Sequence, residues 1–284
     1  SPPASAAILG GTSGQFIAAG LVGKAVTSAS AQLLDGLVSA QTRWRQQLAT
    51  QLSTVLKPAI DTKAFRELER NMLPANLRDA SDKITPLQVY DFLEAEGIPL
   101  YLVPRASGGV RLLTAPDHGA RRKVLNDRFK AIVEDCEALI ARSTDPIVAT
   151  EVYFAKDAIA ALRSGNYASA QALCTVTLDT LISRFYPTRA TRQKLTNRKA
   201  GDPIPDLIKD MGLRNAYVWL PIWNSHGQFW IDKGDRIPND FSRHATIHGV
   251  SKAQYNQRNC VQSLMLVASL IGYADLITKH ERNR

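Results

Sequence analysis

The run Cys260-Val261-Gln262-Ser263-Leu264-Met265-Leu266-Val267-Ala268-Ser269-Leu270-Ile271-Gly272-Tyr273 carries two adjacent apolar stripes. Cys260, Leu264, Val267 and Ile271 form one, and Leu266, Leu270, Tyr273 and Ile277 the other, at steps of three and four. A period near 3.6 puts both on one broad side of a helix, predicted from about Lys252 to His280. Such a face must be buried, and the sequence offers other helices to cover it. Ile147 to Arg163 and Tyr167 to Phe185 have helical spacing and are separated only by Ser164-Gly165-Asn166, a helix-stopping turn. A connection that short forces antiparallel neighbours, and the last helix is expected to pack on the pair.

Further upstream, two helices are predicted over Ala64–Met72 and Pro86–Ala95, the second with Thr85 as cap and Pro86 in its first turn. Val124, Leu125, Phe129, Ile132, Val133, Cys136 and Leu139 mark another between Gly119 and Arg142. Between them, Ile98–Val103 and Val110–Leu113 flank Ser107-Gly108-Gly109 and read as one short hairpin, kept to an edge pair by Pro99 and Pro104. Ser143-Thr144-Asp145-Pro146 is a turn signal, and the boundary is placed there: a helical N-terminal region, 1–146, and a helical C-terminal domain, 147–284. The fold class is all-α, with at most that hairpin.

The Ala/Ser/Gly-rich opening has no long uninterrupted apolar run, so neither a membrane span nor a secretory signal is expected. A helix weakened by glycines is predicted from Gln15 to Lys57, with Phe16, Leu21, Val22 and Val26 as a possible surface-seeking face. Gly10-Gly11-Thr12-Ser13-Gly14 lacks the spacing and lysine of a phosphate loop and reads as flexible.

With 284 residues, 45% hydrophobic and 21% charged, the chain can bury a sizeable core. Its net charge of +9 is unevenly placed: residues 147–284 hold 18 basic and 11 acidic side chains, whereas 61–146 hold 13 and 14. A basic second half favours a polyanionic partner such as nucleic acid. Cys136, Cys174 and Cys260 are far apart, odd in number and set among apolar neighbours. That suggests neither a disulfide framework nor a zinc knuckle, and a reducing cytoplasm is expected. No metal and no cofactor is expected.

Ser242-Arg243-His244-Ala245-Thr246-Ile247-His248-Gly249 heads the last apolar pattern. Histidine moves protons near neutral pH, and arginine grips phosphate oxygens with a planar fork of donors. Arg243 and His248 match the Arg-x4-6-His motif of the HEPN (higher eukaryotes and prokaryotes nucleotide-binding) superfamily, with His244 as the polar residue after the arginine. Asn166-Tyr167-Ala168-Ser169-Ala170-Gln171-Ala172 followed by Asp179 resembles that superfamily's second helix. The resemblance covers residues 147–284. About fifty-five residues rich in Trp, Pro and Gly between that helix and the motif exceed a minimal bundle.

The resemblance implies a helical bundle, a homodimer and metal-independent cleavage of RNA in a toxin or antiphage setting, with an antitoxin or phage-derived trigger. His248 is expected to handle the proton and Arg243 to hold the non-bridging phosphate oxygens. Asp179 would orient a neighbour, and His244, one turn before His248, would be a cap or supporting residue. Because five helical residues rotate about 140°, Arg243 must lie at the helix start, with Asp240 or Ser242 as cap. Arg184, Arg189, Arg192, Lys194, Arg198 and Lys199, in a stretch free of acidic residues, are candidates for tracking a phosphate backbone. Tyr217, Trp219, Trp223, Phe229 and Trp230 either stack exposed bases or anchor an irregular loop. The alternatives to a ribonuclease are a non-catalytic nucleic-acid or nucleotide binder, and an interaction adaptor.

Overall fold

A computed structural model describes residues 62–282, and the opening helix and glycine cluster expected before them lie outside the described residues. The α-helices are α1 (Thr62–Met72), α2 (Pro86–Glu96), α3 (Ala106–Thr114), α4 (His118–Asp127), α5 (Phe129–Ala141), α6 (Ala149–Arg163), α7 (Tyr167–Phe185), α8 (Arg189–Thr196), α9 (Asp206–Lys209), α10 (Leu213–Ser225), α11 (Arg243–His248) and α12 (Gln257–Arg282). Short 3-10 turns cover Ala75–Ala80, Pro146–Val148 and Ile231–Lys233. Among the described residues the β content is a single isolated bridge, Arg198 to Gly227. The mainly α class is as the sequence implied.

The helix starts follow local chemistry. Thr85 and Gln88 form a reciprocal capping box ahead of Pro86, which needs no donor in the first turn. The α6–α7 turn closes on Gly165 at φ 80, where a side chain would be strained.

The predicted hairpin is absent, and Ala106–Thr114 is helical instead. Its glycines serve close packing. A Cβ on Gly109 would lie 2.5 Å from Leu77 Cδ2, and one on Gly108 would lie 3.1 Å from Pro104. Nor does the preceding stretch use a ladder to satisfy its backbone. Asn76 donates to the carbonyls of Leu100 and Pro104 and accepts from Leu102 N–H, while Ser269 donates to Tyr101 O at 2.8 Å. The helix expected over 119–142 is two helices that meet at Arg128, which closes α4 and opens α5.

The last helix begins at Gln257, later than the pattern suggested, because Ser251–Asn256 forms turns. Every residue from Asn259 to Asp275 is buried, so α12 is enclosed on all sides and not along one face. It runs through the centre, touching α4, α5, α6, α7 and α10, while α10 also packs on α2. The stretch Gln257–Thr278 is long and apolar enough to cross a membrane, but most of it is buried inside the fold. One apolar core joins residues on both sides of Pro146. Polar groups on α12 are met across the core: Gln262 donates to Gly97 O at 3.0 Å, and Asp275 accepts from Thr144 and Asp145 N–H at 2.9 and 3.0 Å. Such matched contacts fix which loop lies on which turn of the helix.

Cys136, Cys174 and Cys260 are free and buried, and burial pushes all three thiols up, so they pack as small apolar groups.

Candidate functional site

The site forms where α7, α8 and α11 meet. Ser242 is the cap of α11: its hydroxyl accepts from Ala245 N–H at 3.2 Å, making Arg243 the first helical residue. Asp240, the other candidate cap, instead binds Arg122 and lies 3.2 Å from His118 Nε2, tying this loop to α4.

Behind the short helix lies a buried polar network. Gln254 is fully buried; its Oε1 accepts from Ser242 N–H at 3.0 Å, and its amide nitrogen donates to the carbonyls of Pro238 and Asp240 at 2.7 Å. Gln171, also fully buried on α7, donates to Thr246 Oγ1 at 3.0 Å, and Tyr255 donates to Thr246 O at 2.6 Å. A six-residue helix is too short to hold itself in water. These bonds, made where water is excluded, fix α11 against α7.

Asp179 on α7 then meets Arg243. The arginine donates from Nε to Oδ1 and Oδ2 at 3.0 and 2.9 Å and from Nη2 to Oδ2, a fork on a carboxylate. Those bonds use Nε and Nη2, and among the described residues Nη1 takes no part in them. Burial pushes the Asp179 carboxyl up, but the approach of His226 and the bonds and charge of Arg243 outweigh it and hold the group below its usual range.

His226, which the sequence reading did not single out, closes α10 and is fully buried. Its Nε2 lies 3.7 Å from Asp179 Oδ1, and its Nδ1 lies 2.6 Å from Ile222 O. The ring is 6.2 Å from that of His244 at 90°, and His244 in turn stacks on His248 at 6.3 Å and 19°. Three imidazoles thus run from the core to the surface. Burial, then the proximity of His226 and Arg243, pushes His244 down to about 4, although a backbone bond with Gly227 acts in the other direction. His244 is therefore neutral near pH 7 and can accept a hydrogen bond.

A cleft of about 440 Å³ opens over this centre, lined by Asp179, Ser183, Arg189, Arg192, Gln193, Thr196, Arg243 and His244 among others. His248 is exposed on the outer end of α11 and is absent from that lining. The structure therefore joins Asp179 to Arg243, brings His244 to the same cleft, and reaches His248 through the His244 ring.

The basic candidates divide. Arg189 and Lys194 are exposed on α8, and Lys199 is exposed beyond it. Arg192 lines the cleft but donates to the carbonyls of Tyr186 and Pro187, both at 2.8 Å. Arg184 pairs with buried Glu151 at 2.6 Å, and Arg198 lies over the Trp223 ring while donating to Asn224. Those two charges serve the fold. Among the aromatic set, Tyr217, Trp219, Trp223 and Phe229 are buried, and Trp230 alone is exposed, with Lys233 Nζ 4.3 Å from its ring centroid.

Compared with known proteins, the chain matches no family model, no curated protein and no solved structure.

Proposed function

We propose that this protein is a metal-independent endoribonuclease of HEPN type, acting in the cytoplasm as a homodimer, with a toxin or antiphage role under the control of an antitoxin or phage-derived trigger. The observation that carries the chemistry is the held arginine: Asp179 grips Arg243 along its Nε–Nη2 edge, and Arg243 lines a cleft that also receives the neutral His244 and Arg189. A guanidinium fixed in this way meets the charge that develops on a phosphorane without having to reorganise. In the proposed step a ribose 2′-oxygen bonds to its own phosphorus and gives its proton to His248. The bond to the 5′-oxygen breaks and that oxygen takes up a proton from water, leaving a cyclic phosphate and a free hydroxyl. Arg243 would hold the non-bridging oxygens, and His244 would orient the attacking hydroxyl or shield the proton transfer.

The test is a cleavage assay on RNA with end-group analysis. Wild-type protein should yield cyclic-phosphate ends without added metal. Arg243→Ala and His248→Ala should each lose at least about 100-fold in rate, the scale of removing a charge stabiliser or a proton carrier. Full activity in both would remove these residues from the mechanism.

One observation favours a second reading, because His248 lies outside the cleft lining. The same surface then serves as a non-catalytic RNA or nucleotide module. Both readings give binding that weakens steeply with salt, and Arg189→Ala/Lys194→Ala should reduce that salt slope by about 2. Only the enzyme produces cyclic-phosphate ends.

A further inference from the structure

We infer that His226 is a positioning residue that acts through Asp179 on Arg243, so that one carboxylate is shared by two cationic partners and sets the arginine's place in the cleft. Its bearing on RNA cleavage rests on the reading above; its bearing on Asp179 and Arg243 does not.

The geometry of the imidazole carries this. Nδ1 faces Ile222 O at 2.6 Å, a contact that requires a proton on Nδ1. Nε2 is buried, has no hydrogen-bond partner at normal distance, and points at Asp179 Oδ1 from 3.7 Å. A buried ring nitrogen left without a partner is costly, and a lone pair aimed at a carboxylate oxygen is repulsive. A proton on Nε2 removes both penalties and makes the approach an ion pair.

Asp179 Oδ2 is meanwhile engaged by Nη2 of Arg243, and Oδ1 by Nε. The carboxylate is thus drawn from two sides, and losing the His226 side lets it swing with Arg243. Asp179 faces the imidazole from α7 and His244 from α11, with Arg243 reached through Asp179 and His248 one ring further out. Arg198, whose backbone N–H donates to His226 O at 3.3 Å, turns its guanidinium onto Trp223 and Asn224. Ser225 contributes only a neutral hydroxyl, 3.2 Å from Nδ1.

The experiment follows the Asp179 carboxyl by carbon-detected NMR titration and, in parallel, the pH profile of RNA cleavage. It uses wild type, His226→Asn and His226→Gln. Asparagine retains a donor for Ile222 O and places nothing against Asp179; glutamine can offer an uncharged N–H there. The Asp179 midpoint should rise by about 1 unit in His226→Asn, the scale of losing one nearby opposite charge, and by less in His226→Gln. The acid limb of the cleavage profile should move with it, and kcat should fall on the order of tenfold or more with little change in KM. If asparagine prevents folding, glutamine carries the measurement with the smaller rise. An unmoved midpoint in the folded variants overturns the inference. If the midpoint rises but wild-type protein produces no cyclic-phosphate ends, the nuclease reading fails and the His226–Asp179–Arg243 chain stands.

Discussion

Asp179→Asn is the most direct probe of the held arginine, because it removes a charge while keeping size and one acceptor oxygen. The Asp179 and Arg243 side chains are 31% and 23% exposed, so the pair lies between two limits. Breaking a fully buried pair costs about 3–5 kcal/mol, and losing an exposed pair costs about 0.2–1 kcal/mol. With most of both side chains covered, about 2 kcal/mol is expected. At roughly 2–4 °C per kcal/mol for a domain of this order, the melting temperature should drop by about 4–8 °C at pH 7. The pH dependence has a definite sign. Folding holds the Asp179 carboxyl below its ordinary value, so its contribution is complete above the unfolded value near ~3.9 and is lost as pH falls through the folded one. Thermal unfolding followed by circular dichroism from pH 8 downward should therefore show a constant gap between wild type and variant near neutrality that closes on acidification. Equal melting temperatures at pH 7, or a gap that survives full protonation, would refute the reasoning.

Two further outcomes concern the frame around the site. Arg184→Ala leaves Glu151, 2% exposed, as an unpaired buried carboxylate, and should destabilise by about 3 kcal/mol in chemical denaturation; Arg184→Ala/Glu151→Gln should recover part of that loss. Gly97 and Gly165 both have positive φ, at 62° and 80°, but a Cβ on Gly97 would also meet Asn224 Cβ at 2.9 Å while one on Gly165 meets nothing within 4 Å. Gly165→Ala should cost about 1–2 kcal/mol from backbone strain alone, and Gly97→Ala measurably more.

Much of the helical frame was legible because periodicity reports burial directly: α7 begins and ends where the pattern and the Ser164-Gly165-Asn166 turn put it. The hairpin was misread because Gly108-Gly109 looks the same in sequence whether it makes a turn or admits a neighbour's side chain, and only Leu77 and Pro104 distinguish the two. Charge was similarly ambiguous. Arg184 and Arg198 resemble Arg189 in composition, yet Glu151 lies 33 residues from Arg184 and Asn224 26 residues from Arg198. At the site, Arg243 and His244 were visible as a motif, and Asp179 through the resemblance. His226 and Gln254 were not, since an isolated histidine after a Trp-rich helix and a glutamine in a turn have no periodic signature. Gln171 stood in the quoted helix segment, but its support of Thr246 depends on how α11 docks.

The enclosure of α12 on all sides has a consequence for how the molecule comes into being. Of the described helices, α12 is synthesised last, yet it is the one that the others pack around. Until residue 282 has cleared the ribosome, the earlier helices lack their common centre and α11 has no finished wall to rest on. Emerging chains would therefore carry an unassembled cleft until α12 itself has been made.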